Sequence, residues 1–197
     1  PPGFVPGFLP RAQERRPRVV AMIRSDLLAI PGYVPGARHD DALKLSSNEA
    51  TQPPLPEAAE AMARAAAEAN RYPDIAATEL REDLAEHLGA SFDQVTVGTG
   101  SSALCQQLVQ ITTAPGEEVI FPWRSFEAYP IFAQVVGARP IPVPLDADQR
   151  VDLAAMAEKI TADTRLIFVC NPNNPSGTTV TKAEFAEFMD AVPNGVL

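Results

Sequence analysis

Hydrophobic residues recur at two different spacings along this chain, and each spacing predicts a different kind of element. Three leucines at intervals of four predict an amphipathic helix over residues 79–88, with Thr78 as its N-cap. Short apolar runs bounded by turn residues predict strands instead, most clearly RLIFVCN at 165–171. Local helical and extended segments therefore follow one another along the chain.

From residue 94 onward the two patterns alternate. The predicted strands are 94–98, 117–122, 139–145 and 165–171, and the predicted helices are 102–113, 126–137, 152–160 and one that starts at Thr181 with Glu184 completing a capping box. This alternation predicts an α/β fold with three layers, a mostly parallel sheet between helices. We expect Leu166 to Cys170 to be a buried central strand. The prolines of 139–145 predict an edge strand or no strand, and 192–197 reads as a turn into a further strand.

Three segments are expected along the chain. The proline-rich residues 1–21 predict a disordered extension, either a tail or upstream translation before Met22. Residues 22–71 are expected to form an arm and a first helix, which Pro56 opens in an alanine-rich run. Residues 72–197 are then expected to form part of a larger α/β domain.

Composition narrows the function classes. The net charge of -9 offers no basic surface for nucleic acid, and no run approaches the ~20 apolar residues that span a bilayer. Cys105 and Cys170 lack CxxC spacing and are predicted to be reduced core thiols, and the isolated His39 and His87 suggest no metal site. We expect a soluble, cytoplasmic protein.

Two motifs carry candidate chemistry. In VTVGTGSSALCQQL, a predicted strand runs through Gly98 and Gly100 into a helix that opens with Ser101 and Ser102. Such a junction aims free backbone N–H groups at one point, where an anion such as phosphate can bind. A glycine turn with a serine cap explains the same residues, and the spacing matches neither a dinucleotide fingerprint nor a P-loop.

The second motif is NPNNPSG, residues 171–177, directly after the most apolar strand. Ligands of open α/β sheets bind outside the carboxyl ends of strands. Asparagines held between prolines there can present amides to a flat polar ligand, although an ordinary Asn-Pro turn is the alternative. We expect this loop and the one after Val97 to open at the same edge of the sheet.

The motifs together resemble the fold type I pyridoxal-phosphate aminotransferases, in particular the histidinol-phosphate and aromatic amino acid group. The resemblance covers the N-terminal half of such proteins and rests on six motifs in the same order, namely YVPG (33–36) with KLSSNE (44–49), NRYPD (70–74), VGTGSSALCQQLVQ (97–110), WRSFEAYP (123–130) and IFVCNPNNPSGT (167–178). It implies that residues 72–197 are a truncated large domain that binds pyridoxal 5'-phosphate.

The resemblance also implies roles for individual residues. Gly100, Ser101 and Ser102 would hold the cofactor phosphate, Phe126 would stack on the pyridine ring, and Asn174 would donate to the ring hydroxyl oxygen. Tyr72 would reach the phosphate of the partner subunit, which implies a homodimer. Tyr33 and Asn48 match positions near the substrate.

The family residues that do the chemistry are expected beyond Leu197, among them the Schiff-base lysine. The three lysines present, Lys44, Lys159 and Lys182, lie outside the family's Ser-Lys motif, so we expect no catalytic residue in this chain and no transamination by it. The implied reaction of the complete protein passes an amino group from an amino acid through the cofactor to a 2-oxo acid.

The substrate expectation rests on Trp123 and Phe126, whose apolar faces suit an aromatic amino acid, with 2-oxoglutarate as acceptor. A site for histidinol phosphate would need cationic donors for the phosphate of that substrate. Arg124 is the cation of this segment and could serve such a phosphate, but we expect it to be a surface residue paired with Glu127. The alternatives are a histidinol-phosphate aminotransferase, an inactive truncated fragment, and a nucleotide-binding α/β module that binds ATP or NAD.

Overall fold

The structure is a computed structural model that describes residues 24–30, 41–43 and 48–197. Its described residues fall into two compact units, 41–43 with 48–107, and 24–30 with 108–197, and each unit is described by itself. The expected extension 1–21, together with Tyr33 and Lys44, lies outside the described residues. Among the residues described, no helix has the length and apolar character that crossing a bilayer requires.

The elements follow the predicted order, with some shifted ends. The α-helices are α1 Pro56–Ala67, α2 Thr78–Leu88, α3 Gly100–Thr112, α4 Tyr129–Val136, α5 Leu153–Glu158 and α6 Lys182–Ala191. The strands are β1 Glu118–Trp123, β2 Arg139–Pro144 and β3 Thr164–Ile167. Two 3₁₀ helices are described, Ser25–Ala29 and Phe92–Gln94. The predicted capping box of α6 is present, since Thr181 and Glu184 each bond the other's backbone N–H.

The three strands form a parallel sheet in the order β2-β1-β3. The chain steps from β1 to β2 in one direction and from β2 past β1 to β3 in the other. Because crossovers between parallel strands are right-handed, the helices of these two steps must cover opposite faces. The predicted three-layer α/β architecture is confirmed in this unit.

Side chains alternate between the two faces as the strand period requires. Ile120 and Val143 pack on one face with Met156 of α5 and Phe188 of α6. On the other face Phe121 contacts Tyr129 of α4, with ring centroids 6.0 Å apart. Tyr129 in turn stacks on Phe168 at 4.4 Å.

One strand prediction is wrong and another is confirmed only in part. The segment expected to be a buried central strand has buried Leu166 and Phe168 and is bonded to β1 on one side and to the backbone of Leu197 on the other, but the strand β3 ends at Ile167 and not at Cys170. The segment 94–98 is extended without being a strand, because the Val95 carbonyl accepts from Arg81 Nε at 2.8 Å instead of from a ladder partner. The prediction of an edge strand at 139–145 is confirmed as β2, and the pairing of Leu197 agrees with a new strand after the turn.

Two helix starts also differ from prediction. Thr78 is the first helical residue of α2 and not its N-cap, because the Asp74 carboxylate accepts from the backbone N–H groups of Ala76 and Thr78. Helix α4 starts at Tyr129 and not at 126, with Pro130 in its first turn, where a missing N–H costs nothing. Residues 126–128 are thereby left in a loop.

The amino end of the sheet is held by a buried carboxylate. Glu118 is only 7% exposed and accepts hydrogen bonds from the hydroxyls of Thr161 and Thr164 at 2.5 and 3.2 Å. Arg139 Nη2 donates to Glu118 and to the exposed Asp163, both at 2.9 Å. The Thr161 hydroxyl above all, with Arg139 and Thr164, holds the pKa of Glu118 below its ordinary value despite burial.

We predict that Glu118→Ala lowers the free energy of unfolding by about 1–3 kcal/mol, because it leaves two hydroxyls and a guanidinium without their buried acceptor. The matched control is Asp163→Ala, which removes the exposed partner of the same Arg139 and should cost less than about 1 kcal/mol. Urea unfolding of the two variants measures the difference. Equal destabilisation would contradict the importance of the buried carboxylate.

Candidate functional site

The strand order predicts a ligand crevice at the carboxyl ends of β1 and β3. These strands are neighbours in the sheet, yet the chain leaves β1 toward α4 on one face and β3 toward α6 on the other. Loops that diverge from adjacent parallel strands leave an opening between them, which is where open α/β sheets bind ligands. The segment 124–128 follows β1 and the Asn-Pro loop, residues 171–177, follows the β3 segment, so both flank this opening.

The Asn-Pro loop is closed by its first asparagine and by backbone bonds. Asn171 Nδ2 donates to the Val180 carbonyl at 3.1 Å, and the Val180 N–H donates to Asn171 Oδ1 at 3.2 Å. The Asn173 N–H donates to the Thr178 carbonyl at 2.8 Å, and the Gly177 N–H donates to the Asn173 carbonyl at 2.7 Å. Asn171 therefore closes the loop with one N–H group and its Oδ1, although the residue itself is exposed.

Asn173 ties this loop to the segment after β1. Its side chain is 2% exposed, and Nδ2 donates to the Arg124 carbonyl at 3.1 Å and to Ser176 Oγ at 2.8 Å. The amide orientation is determined, because a carbonyl can only accept and the Arg124 carbonyl must face the NH₂ group. Both donors of the amide are thus occupied.

The bonds continue to the loop after β2. Thr178 Oγ1 donates its proton to the Gln149 carbonyl at 2.7 Å, so Ser176 must be the donor in the 2.8 Å contact between the two hydroxyls. The side chains of Asn173, Ser176 and Thr178 and the carbonyls of Arg124 and Gln149 are together called the edge network below. It connects the loops that follow all three strands. From Asn173, one hydrogen bond runs to the Arg124 carbonyl and the others run through Ser176 and Thr178 to the Gln149 carbonyl.

Asn174 differs from its neighbours because its side chain is exposed and makes no hydrogen bond to any other described residue. Among the three asparagines of the loop, it is the one whose side chain makes no hydrogen bond within the described part of the chain. The sequence singled it out through the resemblance. Nothing in the sequence alone separates it from Asn171 and Asn173.

The segment after β1 is aromatic. Phe126 packs its edge against Tyr129 with centroids 5.5 Å apart and a plane angle of 86°, and Phe121 meets Trp123 similarly at 6.1 Å. The Arg124 guanidinium lies 4.8 Å from the Trp123 ring centroid. The expected pairing of Arg124 with Glu127 is wrong, because the flat cation stacks on the adjacent indole instead. Phe126 remains half-buried in the loop that borders the crevice.

In the other unit, the glycine junction begins α3. Gly100 has φ +74°, a conformation that favours glycine, and a Cβ on Gly98 would lie 3.2 Å from Leu104 Cδ2. Ser101 and Ser102 are exposed, and their hydroxyls bond no other described residue. An ordinary serine cap is therefore not seen, and the hydroxyls and first N–H groups of the helix remain accessible from solvent.

Tyr72 belongs to the same unit and is fully exposed. The nearby Asp74 carboxylate, by bonding the start of α2, gives this exposed segment a fixed backbone, and the Thr78 hydroxyl holds the pKa of Asp74 below its ordinary value. Asn48 is also exposed, with φ 48°. The expected proximity of Ser101 to Asn174 joins residues of two units and stays a prediction.

Neither described lysine lies at this site, whereas the Cys170 thiol donates to the Pro172 carbonyl of the Asn-Pro loop at 3.5 Å. Lys159 follows α5 and Lys182 begins α6, and both are exposed. Cys105 and Cys170 are thiols as predicted, but each is half-buried and not a core residue. Exposure of the two described lysines agrees with their assignment to solvated positions.

A cleft of about 360 Å³ lies elsewhere, between α5 and α6. Its one cation, Arg150, is bound to Glu184 at 2.8 Å and to the Thr179 carbonyl. The Thr181 backbone N–H, with Arg150, lowers the pKa of Glu184 to about 2. Because none of the six motifs that carry the resemblance lines this cleft and its cation is already paired with Glu184, we assign it no role in the site.

The family model for aminotransferase class I and II matches residues 40–197. This chain therefore belongs to that aminotransferase family. Membership sets aside the alternative of a generic nucleotide-binding module.

Particular relatives sharpen the comparison. Aromatic amino acid aminotransferase of Corynebacterium glutamicum strain R is 68% identical over 176 residues, which are 89% of this chain and 52% of the relative. The protein of the same name from Rhodococcus jostii is 57% identical, over 88% of this chain and 49% of the relative. This chain thus spans about half the length of the curated relatives that it matches.

The solved structures agree. Histidinol-phosphate aminotransferase from Sinorhizobium meliloti, in complex with pyridoxal 5'-phosphate, superposes with a TM-score of 0.69 at 27% identity, covering 73% of this chain and 39% of that one. An aromatic aminotransferase from Pyrococcus horikoshii gives a TM-score of 0.60 at 25% identity, covering 68% and 39%. The fold and the family are confirmed by independent comparisons.

We predict that Asn171→Ala lowers the free energy of unfolding by about 1–3 kcal/mol, because the Val180 N–H and carbonyl lose their partners. Asn174→Ala, three residues away in the same loop, should change it by less than about 0.5 kcal/mol. Chemical denaturation of both variants checks the contrast. A larger effect of Asn174→Ala would mean that its amide serves the fold and not a ligand.

Proposed function

We propose that the complete protein is a pyridoxal-phosphate-dependent aminotransferase that moves an amino group between an aromatic amino acid and 2-oxoglutarate. The observation that carries the proposal is the 68% identity to an aromatic amino acid aminotransferase over most of this chain. The ordered motifs and the crevice at the carboxyl edge of the sheet support it. The proposed activity is that of the complete protein, because this chain spans about half the length of such relatives.

The residues beside the crevice fit the cofactor. Asn174 has an unused amide that would donate to the oxygen of the ring hydroxyl, and Phe126 offers an aromatic ring for stacking on the pyridine. Because Asn171 and Asn173 are occupied within the fold, the assignment of this role to Asn174 gains support. When bound, the cofactor supplies a conjugated ring that withdraws electrons from the substrate's Cα.

Gly100, Ser101 and Ser102 fit the cofactor phosphate. The positive φ of Gly100 starts a thirteen-residue helix whose exposed first turn carries N–H donors, and the two uncommitted hydroxyls add further donors. The fully exposed Tyr72 would bond the phosphate in the partner subunit of a homodimer. Tyr33 and Asn48 are assigned to the substrate side on the resemblance alone.

An aromatic substrate is favoured over histidinol phosphate. Both names occur among the similar proteins, but the aromatic one belongs to the relatives at 68% and 57% identity and the other to a structure at 27%. Arg124, the cation of this segment, is stacked on Trp123. A guanidinium that stacks on an indole is poorly placed to bind the phosphate of histidinol phosphate, whereas the aromatic side chains suit an apolar substrate ring.

The remaining parts of the proposal concern the setting of the reaction. The protein would act on small amino acids and 2-oxo acids and would bind neither nucleic acid nor membranes. It would serve amino acid biosynthesis in the cytoplasm. Two cysteines that remain thiols suit a reducing compartment.

We predict that the complete protein, loaded with pyridoxal 5'-phosphate, has a kcat/KM for phenylalanine at least about tenfold above that for histidinol phosphate, which is about 1.4 kcal/mol of transition-state binding. Steady-state kinetics with 2-oxoglutarate as acceptor measures the ratio. Arg124→Gln is the diagnostic variant and should leave the ratio within about threefold. A preference for histidinol phosphate that Arg124→Gln abolishes would contradict the aromatic assignment.

A further inference from the structure

We propose that Asn173 is a positioning residue, which sets the distance between Phe126 and Asn174 by tying their two loops together at the Arg124 carbonyl. The inference rests on the proposed function, because these two residues would contact the cofactor ring. Asn173 itself would touch neither cofactor nor substrate, since its side chain is 2% exposed and both of its N–H donors are occupied.

The two residues joined by this hydrogen bond are close in sequence to Phe126 and Asn174. Arg124 lies two residues before Phe126, and Asn173 is the direct neighbour of Asn174, so a bond between the first of each pair constrains the second. Consecutive Cα atoms are about 3.8 Å apart, which leaves little chain to absorb a displacement. Loss of the bond should therefore change where the ring of Phe126 lies relative to the Asn174 amide.

No other hydrogen bond duplicates this connection. Among the described residues, the bond from Asn173 Nδ2 to the Arg124 carbonyl is the single one between segments 124–128 and 171–178. Closure of the Asn-Pro loop depends on Asn171 and on backbone bonds that Asn173 makes irrespective of its side chain. The side chain of Asn173 therefore makes one bond inside its own loop, to Ser176 Oγ, and one bond to the other loop, at the Arg124 carbonyl.

The arrangement also carries a cost that stability alone does not explain. Asn173 Oδ1 and Ser125 Oγ are buried and have no hydrogen-bond partner among the described residues. Buried polar atoms without partners destabilise a fold and call for an explanation. An apolar residue at 173 would avoid the unsatisfied oxygen, but it would not hold the Arg124 carbonyl.

A double-mutant cycle on cofactor affinity tests the role. In the complete protein we expect Asn173→Ala and Asn174→Ala each to raise the Kd for pyridoxal 5'-phosphate about tenfold, and the double variant to stay within about twofold of the weaker single. Asp163→Ala is the control, because it removes an exposed hydrogen-bond partner at the opposite end of the sheet and leaves the Asn-Pro loop and Arg124 unchanged. Its effect should be below about threefold and multiply with that of Asn174→Ala.

A second readout needs no cofactor. Trp123 is the single tryptophan of this sequence and precedes Arg124, so its fluorescence reports on the tied segment. After subtraction of the Trp123→Phe signal, Asn173→Ala should raise the acrylamide quenching constant about twofold, whereas Asn174→Ala should leave it unchanged. If Asn173→Ala does not fold, Ser176→Ala replaces it, with the same signs and smaller changes.

The outcomes separate the two claims. Failure of the wild type to bind pyridoxal 5'-phosphate would overturn the proposed function, and the role at the cofactor with it, while the quenching result would still show whether the tie exists. If the wild type binds pyridoxal 5'-phosphate normally, two results would overturn the positioning role alone. One is a hundredfold loss of cofactor affinity in the double variant, and the other is an unchanged quenching constant in Asn173→Ala.

Discussion

The hydrogen bonds of the Asn173 side chain are the interaction on which the carboxyl edge of this sheet depends. Parallel strands joined by right-handed crossovers send the loops after β1 and β3 to opposite faces, which opens a crevice but leaves nothing in the backbone ladder to hold its two sides together. A buried amide with two donors closes that gap by bonding the Arg124 carbonyl on one side and Ser176 on the other. Through Thr178 the same chain of donors reaches the loop after β2. Three loops that the topology would let move separately are in this way connected.

Buried polar groups lie at both ends of the sheet, but their surroundings differ. At the amino end, the Glu118 carboxylate is bonded by two threonine hydroxyls and Arg139 within the fold. At the carboxyl end, Asn173 is occupied while Asn174 next to it is exposed. An amide whose two N–H donors are both bonded thus lies beside an exposed amide that bonds no other described residue. Such an arrangement is suited to binding without reorganisation.

Much of the architecture could be predicted from the sequence, because strand and helix periods and the capping box of α6 are local signals. The wrong predictions have both distant and local causes. The segment 94–98 reads as a strand, but Arg81, 14 residues earlier, bonds the Val95 carbonyl. The N-cap of α2 and the partner of Arg124 were instead decided by the near neighbours Asp74 and Trp123. At the site, the loop and the Asn174 assignment came from the motif, while the different roles of Asn171 and Asn173 had no sequence signal, since an Asn-Pro repeat looks the same whichever amide is buried. The bonds to Arg124 and Gln149 span 49 and 29 residues, beyond the reach of local patterns.

Hydrogen exchange of side-chain amides is the most direct test of the account, because Asn173 and Asn174 are adjacent residues of the same type with opposite expected environments. Measured by ¹⁵N-resolved NMR on the complete protein without cofactor, the Nδ2 protons of Asn173 should exchange at least about tenfold more slowly than those of Asn174, as expected for a buried amide with both donors bonded. Equal rates for the two residues would show that the Asn173 side chain is not held at the edge of the sheet, and would contradict the account.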